Sequence, residues 1–223
     1  MALLDEETKE KVRRRLADTL VGPVEVRLYR RPDLGPPTLP SGRGYATCDA
    51  SEELGRALAE AAPDKLRLTV IDVSEESVDD QAVPRLTVGR PGAESRITFQ
   101  GLPGGYEFAT LLDALERAAG GGDQLPAKLG ERLAGLERGI ELMVFVTPTC
   151  PYCPRAASLA NRMALTSAKV RSLVVEANEY PELSAAFEVQ GVPRTVVNRA
   201  GAFVGALPEA TFVDSVMKLA EAA

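Results

Sequence analysis

At 223 residues the chain is long for one small α/β unit and suits two of about 100 residues each. Apolar content of 45%, charged content of 26% and the lack of any run near the roughly 20 apolar residues a bilayer span needs exclude a membrane protein; a net charge of −6 and a pI near 5.0 exclude a nucleic-acid partner, which demands clustered Lys and Arg. The absence of histidine excludes a His general base, Ser-His-Asp and Cys-His nucleophiles and the usual Cys/His zinc sites, and three cysteines cannot make a four-thiolate site within one chain.

Residues 1–20, MALLDEETKEKVRRRLADTL, alternate acids, bases and apolar residues at helical spacing, without the apolar core or cleavage site of a secretory signal. They read as an amphipathic helix of a cytoplasmic protein, whose five Lys and Arg sit among acids on a solvated face. A strand follows at 24–30. The loop 31–44 holds four Pro and four Gly or Ser residues and reads as a cover or a docking segment. Helix 50–62, strand 66–73, a hairpin of 83–89 with 95–101, and helix 106–118 complete the first half.

The second half reads as strand 140–147, a turn holding Cys150-Pro151-Tyr152-Cys153, helix 154–168, strand 170–177, helix 180–190, a hairpin of 192–198 with 201–206, and helix 208–222. The halves share a plan. Val83-Pro84-Arg85 matches Val192-Pro193-Arg194 at an offset of 109, and Gly101 and Phe108 match Gly205 and Phe212 at 104. Such landmarks at nearly constant offset indicate an internal duplication, with units at 1–121 and 122–223. Where the first unit would carry its own CxxC it has 45-YATC-48, with Tyr45 in place of the first cysteine and 11 extra residues in the preceding loop. One thiol cannot run a CxxC mechanism, so this unit reads as redox-degenerate and Cys48 as a relic thiol, a regulatory disulfide between chains being the other use for it.

The order β-α-β-α-β-β-α, with CPYC at the first strand–helix junction and Val192-Pro193 opening the third strand, resembles the thioredoxin fold. With 179-EYPEL-183, 191-GVPRTVVN-198, 203-FVGALPE-209 and 98-TFQGLPGGYEF-108, the whole chain resembles the tandem-thioredoxin protein disulfide oxidoreductases, or glutaredoxin-like proteins, of thermophilic archaea and bacteria. Having lost the first site while keeping the second, it is also similar to the N-terminal domain of the alkyl hydroperoxide reductase flavoprotein, which relays electrons to a peroxiredoxin. The resemblance implies an α/β fold of two tandem thioredoxin-like units, each a central mixed sheet flanked by helices. It also implies a cis peptide at Pro193 facing the cysteines. Only three asparagines fit a thermophilic source; the rival reading is a GC-rich genome, which alone would also enrich Ala, Arg and Gly.

Thiolate is the attacking species in disulfide exchange. With the helix starting at Pro151, Cys150 occupies the N-cap, where unpaired N–H groups and the helix dipole favour an anion. Cys150 is then the nucleophile and Cys153 the resolving thiol. Pro151 pre-sets the first turn, Tyr152 contacts substrates or tunes the thiolate, and Val192 with Pro193 contacts substrate. CPYC is common in glutaredoxins, at about −200 to −230 mV. The segment 204-VGALPEA-210 lacks the Gly-Gly and acids of a glutathione site, so a flavoprotein of the thioredoxin reductase kind is the more natural electron source than glutathione. The expected partners are disulfide-containing proteins, such a reductase and a peroxiredoxin; neither metal nor bound cofactor is required. The rival readings are a structural disulfide or packed pair, a metal site completed by carboxylates or a second chain, and a chaperone-like binding module with incidental cysteines.

Overall fold

Asp5 opens the first helix: its carboxylate accepts the Thr8 N–H at 2.7 Å, satisfying an unpaired donor, and Glu6 and Glu7 complement the helix dipole. This helix, α1 (Glu6–Thr19), buries Val12 and Leu16 and keeps its charged face in water. In the computed structural model, which describes residues 3–31, 47–73 and 83–222, it leads into β1 (Val24–Arg30), α2 (Cys48–Ala61), β2 (Leu66–Asp72), β3 (Arg85–Gly89), β4 (Ile97–Gln100) and α3 (Tyr106–Ala118). The second half runs α4 (Ala127–Ala134), β5 (Ile140–Val146), α5 (Cys153–Thr166), β6 (Val170–Glu176), α6 (Pro181–Ala186), β7 (Arg194–Val197), β8 (Gly201–Val204) and α7 (Glu209–Glu221).

Among the described residues, eight strands form one mixed sheet in the order β2-β1-β3-β4-β6-β5-β7-β8. β1 lies between parallel β2 and antiparallel β3, which turns back into β4; β5 lies likewise between β6 and β7, with β8 beyond. The registers repeat too: Glu25 sits opposite Arg67 as Glu141 sits opposite Arg171. The halves meet where β4 pairs in parallel with β6, Phe99 opposite Val174, so an edge strand of each unit is closed by the other. The architecture is α/β, two tandem thioredoxin-like units with a mixed sheet flanked by helices.

α3 of the first unit packs on α5 of the second, and one apolar core runs through both, with Phe99 and Phe212 almost fully buried within it. At about 1.5–3 kcal/mol for each large side chain removed from water, this shared core couples the units energetically. Among the described residues no helix is long and apolar enough to cross a membrane.

Three elements differ from the sequence reading. α4 was not expected: only Leu129 and Leu133 mark its buried face, too few for periodicity to register. It stands before β5 as α1 stands before β1. α6 ends four residues earlier than the apolar spacing suggests, at Ala186 rather than 190. α5 begins at Cys153, one residue before the range 154–168 but two after the Pro151 start on which the N-cap argument for Cys150 depends, with consequences for the thiols described below. Tyr45 and nearly all of the loop 31–44 lie outside the described residues.

Candidate active site

β5 is buried along almost its whole length and delivers residues 147–150 to the C-terminal edge of the sheet. A turn then forms, with the Cys150 N–H donating to the Thr147 carbonyl at 3.1 Å and the Cys153 N–H to the Cys150 carbonyl at 3.4 Å. Tyr152 is the N-cap of α5, and Pro154 rather than Pro151 occupies its first turn. Cys150 therefore precedes the N-cap instead of occupying it. Pro151 lies in the turn before the helix, and the Tyr152 ring projects into solvent.

The two thiols are free and unequal. Cys153 is fully buried, whereas Cys150 is half-buried and reachable. Burial pushes the Cys153 thiol well above the ordinary thiol range, and its contact with the Cys150 sulfur and the nearby Glu107 carboxyl push the same way. Cys150 Sγ also faces the carbonyl oxygen of Val192, donating to it at 3.8 Å. Pro193, next along, is buried, and the Val192–Pro193 peptide bond is cis. Four of the expected site residues, Cys150, Cys153, Val192 and Pro193, thus converge; Pro151 and Tyr152 form the exposed lip beside them.

A residue that the sequence reading missed completes the group. Glu107 comes from α3 of the first unit, yet is 2% exposed and helps line a small recess with Phe99, Gly101, Val146, Pro148 and Glu176. Burial raises its pKa to about 7. Neither carboxylate oxygen has a hydrogen-bonding partner among the described residues, and the nearby Thr110, one turn on, acts in the opposite direction to burial without outweighing it. Position 107 faces inward on α3, and a carboxylate on the buried stripe of an amphipathic helix was the signal available in the sequence.

The first unit repeats the scaffold without the chemistry. α2 opens on Cys48 as α5 opens on Cys153, both helices are 14 residues long, and Val83–Pro84 is also cis. The Gly101 N–H donates to the Pro84 carbonyl at 2.9 Å as the Gly205 N–H donates to that of Pro193 at 2.8 Å. Cys48 is buried, and burial pushes its thiol up. Over this place lies the second unit's 176–180 segment: Glu179 accepts from the Leu102 N–H at 2.8 Å and from the Thr47 hydroxyl, and the buried Tyr180 directs its hydroxyl at the Pro84 carbonyl, 3.4 Å away. Among the described residues no three Cys, Asp or Glu side chains gather in a metal-binding group.

A thioredoxin-domain family model matches residues 140–218. The solved protein disulfide oxidoreductase of Aeropyrum pernix superposes with a TM-score of 0.82 at 26% identity, covering 100% of this chain and 95% of that one. The chain is a tandem thioredoxin-fold protein. It is related to the N-terminal domain of the alkyl hydroperoxide reductase AhpF, matching the Pseudomonas aeruginosa protein at 28% identity over 119 residues and the Staphylococcus aureus protein at 27% over 150. Those matches cover 53% and 67% of this tandem thioredoxin-fold chain but 23% and 28% of the relatives, so it spans about a quarter of their length. The solved AhpF of Enterococcus faecalis has the same fold, with a TM-score of 0.80 at 18% identity over 96% of this chain and 99% of that one.

Proposed function

We propose that the protein is a dithiol–disulfide oxidoreductase working through Cys150 and Cys153, with residues 1–121 as a redox-degenerate scaffold unit and 122–223 as the redox unit. The observation that carries this reading is the pairing of one accessible and one buried free thiol beside the Val192 carbonyl. Cys150 as thiolate attacks one sulfur of a substrate disulfide. The substrate S–S bond breaks, a mixed disulfide forms, and the departing sulfur takes up a proton.

Cys153 then passes its proton to Glu107, directly or through one water, and attacks Cys150 Sγ. A Cys150–Cys153 disulfide forms while the second substrate sulfur leaves and is protonated. The substrate gains two electrons and two protons, and a dithiol donor restores the protein by the reverse steps. A thiol held far above neutrality needs a local base, and a carboxylate poised near pH 7 suits that task in the cytoplasm. Val192 and Pro193 offer the substrate a backbone edge, with Pro151 and Tyr152 bordering it.

The donor is a flavoprotein of the thioredoxin reductase kind. The kinship with AhpF favours one second reading, in which a peroxiredoxin is the disulfide substrate. Titration against glutathione, with mass-spectrometric alkylation at each cysteine, tests the chemistry: Cys150 and Cys153 should switch together in a reversible two-electron transition, with Cys48 free throughout. Thiols that never pair would end the reading. Comparing turnover of insulin with that of a peroxiredoxin separates the two substrate classes.

A further inference from the structure

The active-site loop of the second unit rests on the backbone of the first. The Tyr106 N–H, at the first position of α3, donates to the Pro148 carbonyl at 2.9 Å, two residues before Cys150. At Gly105 the bonded carbonyl lies so close that it leaves no room for a side chain. Gly105 has φ +56° and ψ −127°, and a methyl group placed on it would lie 2.2 Å from the Pro148 carbonyl oxygen and 2.9 Å from its carbon. Both the conformation and the space require glycine. The neighbouring Gly104 has no such demand: its methyl group would meet nothing closer than 4.0 Å.

The same stretch of backbone therefore fixes Pro148 while the next residue, Glu107, enters the recess that Pro148 also lines, within electrostatic reach of Cys153. Because Cys150 hangs from Thr147 by its own N–H, a displaced Pro148 carries the nucleophile with it. We infer that Gly105 is a positioning residue for the dithiol, seating the Pro148 carbonyl on the first unit and so setting the relative stability of the reduced and oxidised pair. This rests on the dithiol reading above. It gives the degenerate unit a function its own missing cysteine cannot supply: it is one wall of the neighbouring active site.

The test compares full-length wild type, Gly105→Ala and Gly104→Ala in glutathione titrations of the Cys150–Cys153 pair. The added methyl group clashes in a structure whose thiols are free, so Gly105→Ala should favour the disulfide at least tenfold, a midpoint about 30 mV more negative. Gly104→Ala should match wild type. A wild type that titrates normally, with both variants matching it, overturns the positioning role alone; a wild type with no reversible transition removes the dithiol reading and this inference with it. If Gly105→Ala does not fold, hydrogen exchange at the Tyr106 amide of wild type decides. A contact that biases the redox equilibrium must itself be biased by it, so protection must differ between the reduced and oxidised protein. Equal protection in the two states overturns the inference.

Discussion

The carboxyl of Glu107, in the first unit, lies within electrostatic reach of the Cys153 thiol in the second, and both groups are buried. Burial raises the acid to about 7 and lifts the thiol well above its ordinary range, so each resists ionising beside the other. Only transfer of the thiol proton to the carboxylate avoids placing two charges there. Glu107→Gln should slow the resolving step by about a hundred-fold, the lower range for loss of a positioned base, and let the Cys150 mixed disulfide accumulate. In wild type the resolving rate should climb as pH rises through about 7, and the variant should lose that inflection. Unchanged trapping by quenched mass spectrometry in Glu107→Gln would remove the base from the mechanism.

The same carboxyl makes folding pH-dependent. Its folded pKa of about 7 exceeds the ordinary 4.5, so between those values the folded state binds more protons than the unfolded state. Stability from this group is therefore full at acid pH, falls as pH rises from about 4.5 to 7, and stays low above that, a span worth up to roughly 3 kcal/mol. Glu107→Gln escapes the penalty. Denaturant midpoints at pH 5 and pH 8 should show the variant gaining on wild type at the higher pH; a gap that does not change with pH would contradict the assignment.

Much of this was legible in the sequence because it lies in local spacing. Cys150, Cys153, Val192 and Pro193 announce themselves by motif, β1 by its alternation of apolar and charged residues, and β5 by a short apolar run. Glu107 did not, because its importance depends on α3 packing across onto α5, a contact with no mark in local pattern. α4 escaped for want of buried residues. The helix start at Cys153 escaped because Pro151 and Pro154 are both suited to a first turn, and spacing does not choose between them.

The three cysteines should separate cleanly. Cys150→Ser should abolish disulfide reduction, and Cys153→Ser should stop after one turnover as a stable mixed disulfide. Cys48→Ser should keep full activity while losing about 1–3 kcal/mol of stability, the cost of burying a hydroxyl where a thiol was 3% exposed. An insulin assay with alkylation mapping reads the first two, and thermal denaturation the third. Activity that depends on Cys48 would mean the first unit is not degenerate.

The last contrast concerns how the second unit covers the first. Tyr180 is 6% exposed and reaches the Pro84 carbonyl by a long 3.4 Å hydrogen bond, so its ring should count for more than its hydroxyl. Tyr180→Phe should cost under about 1 kcal/mol, but Tyr180→Ala about 3–5 kcal/mol, as for other buried aromatics. Glu179→Ala should fall between, at about 1–3 kcal/mol, because it strands the Leu102 N–H that donates at 2.8 Å. Disulfide reduction per folded molecule should hold in all three, since these contacts lie over Cys48 rather than Cys150. A loss of turnover without a loss of stability would mean that the covered face of the first unit takes part in the chemistry.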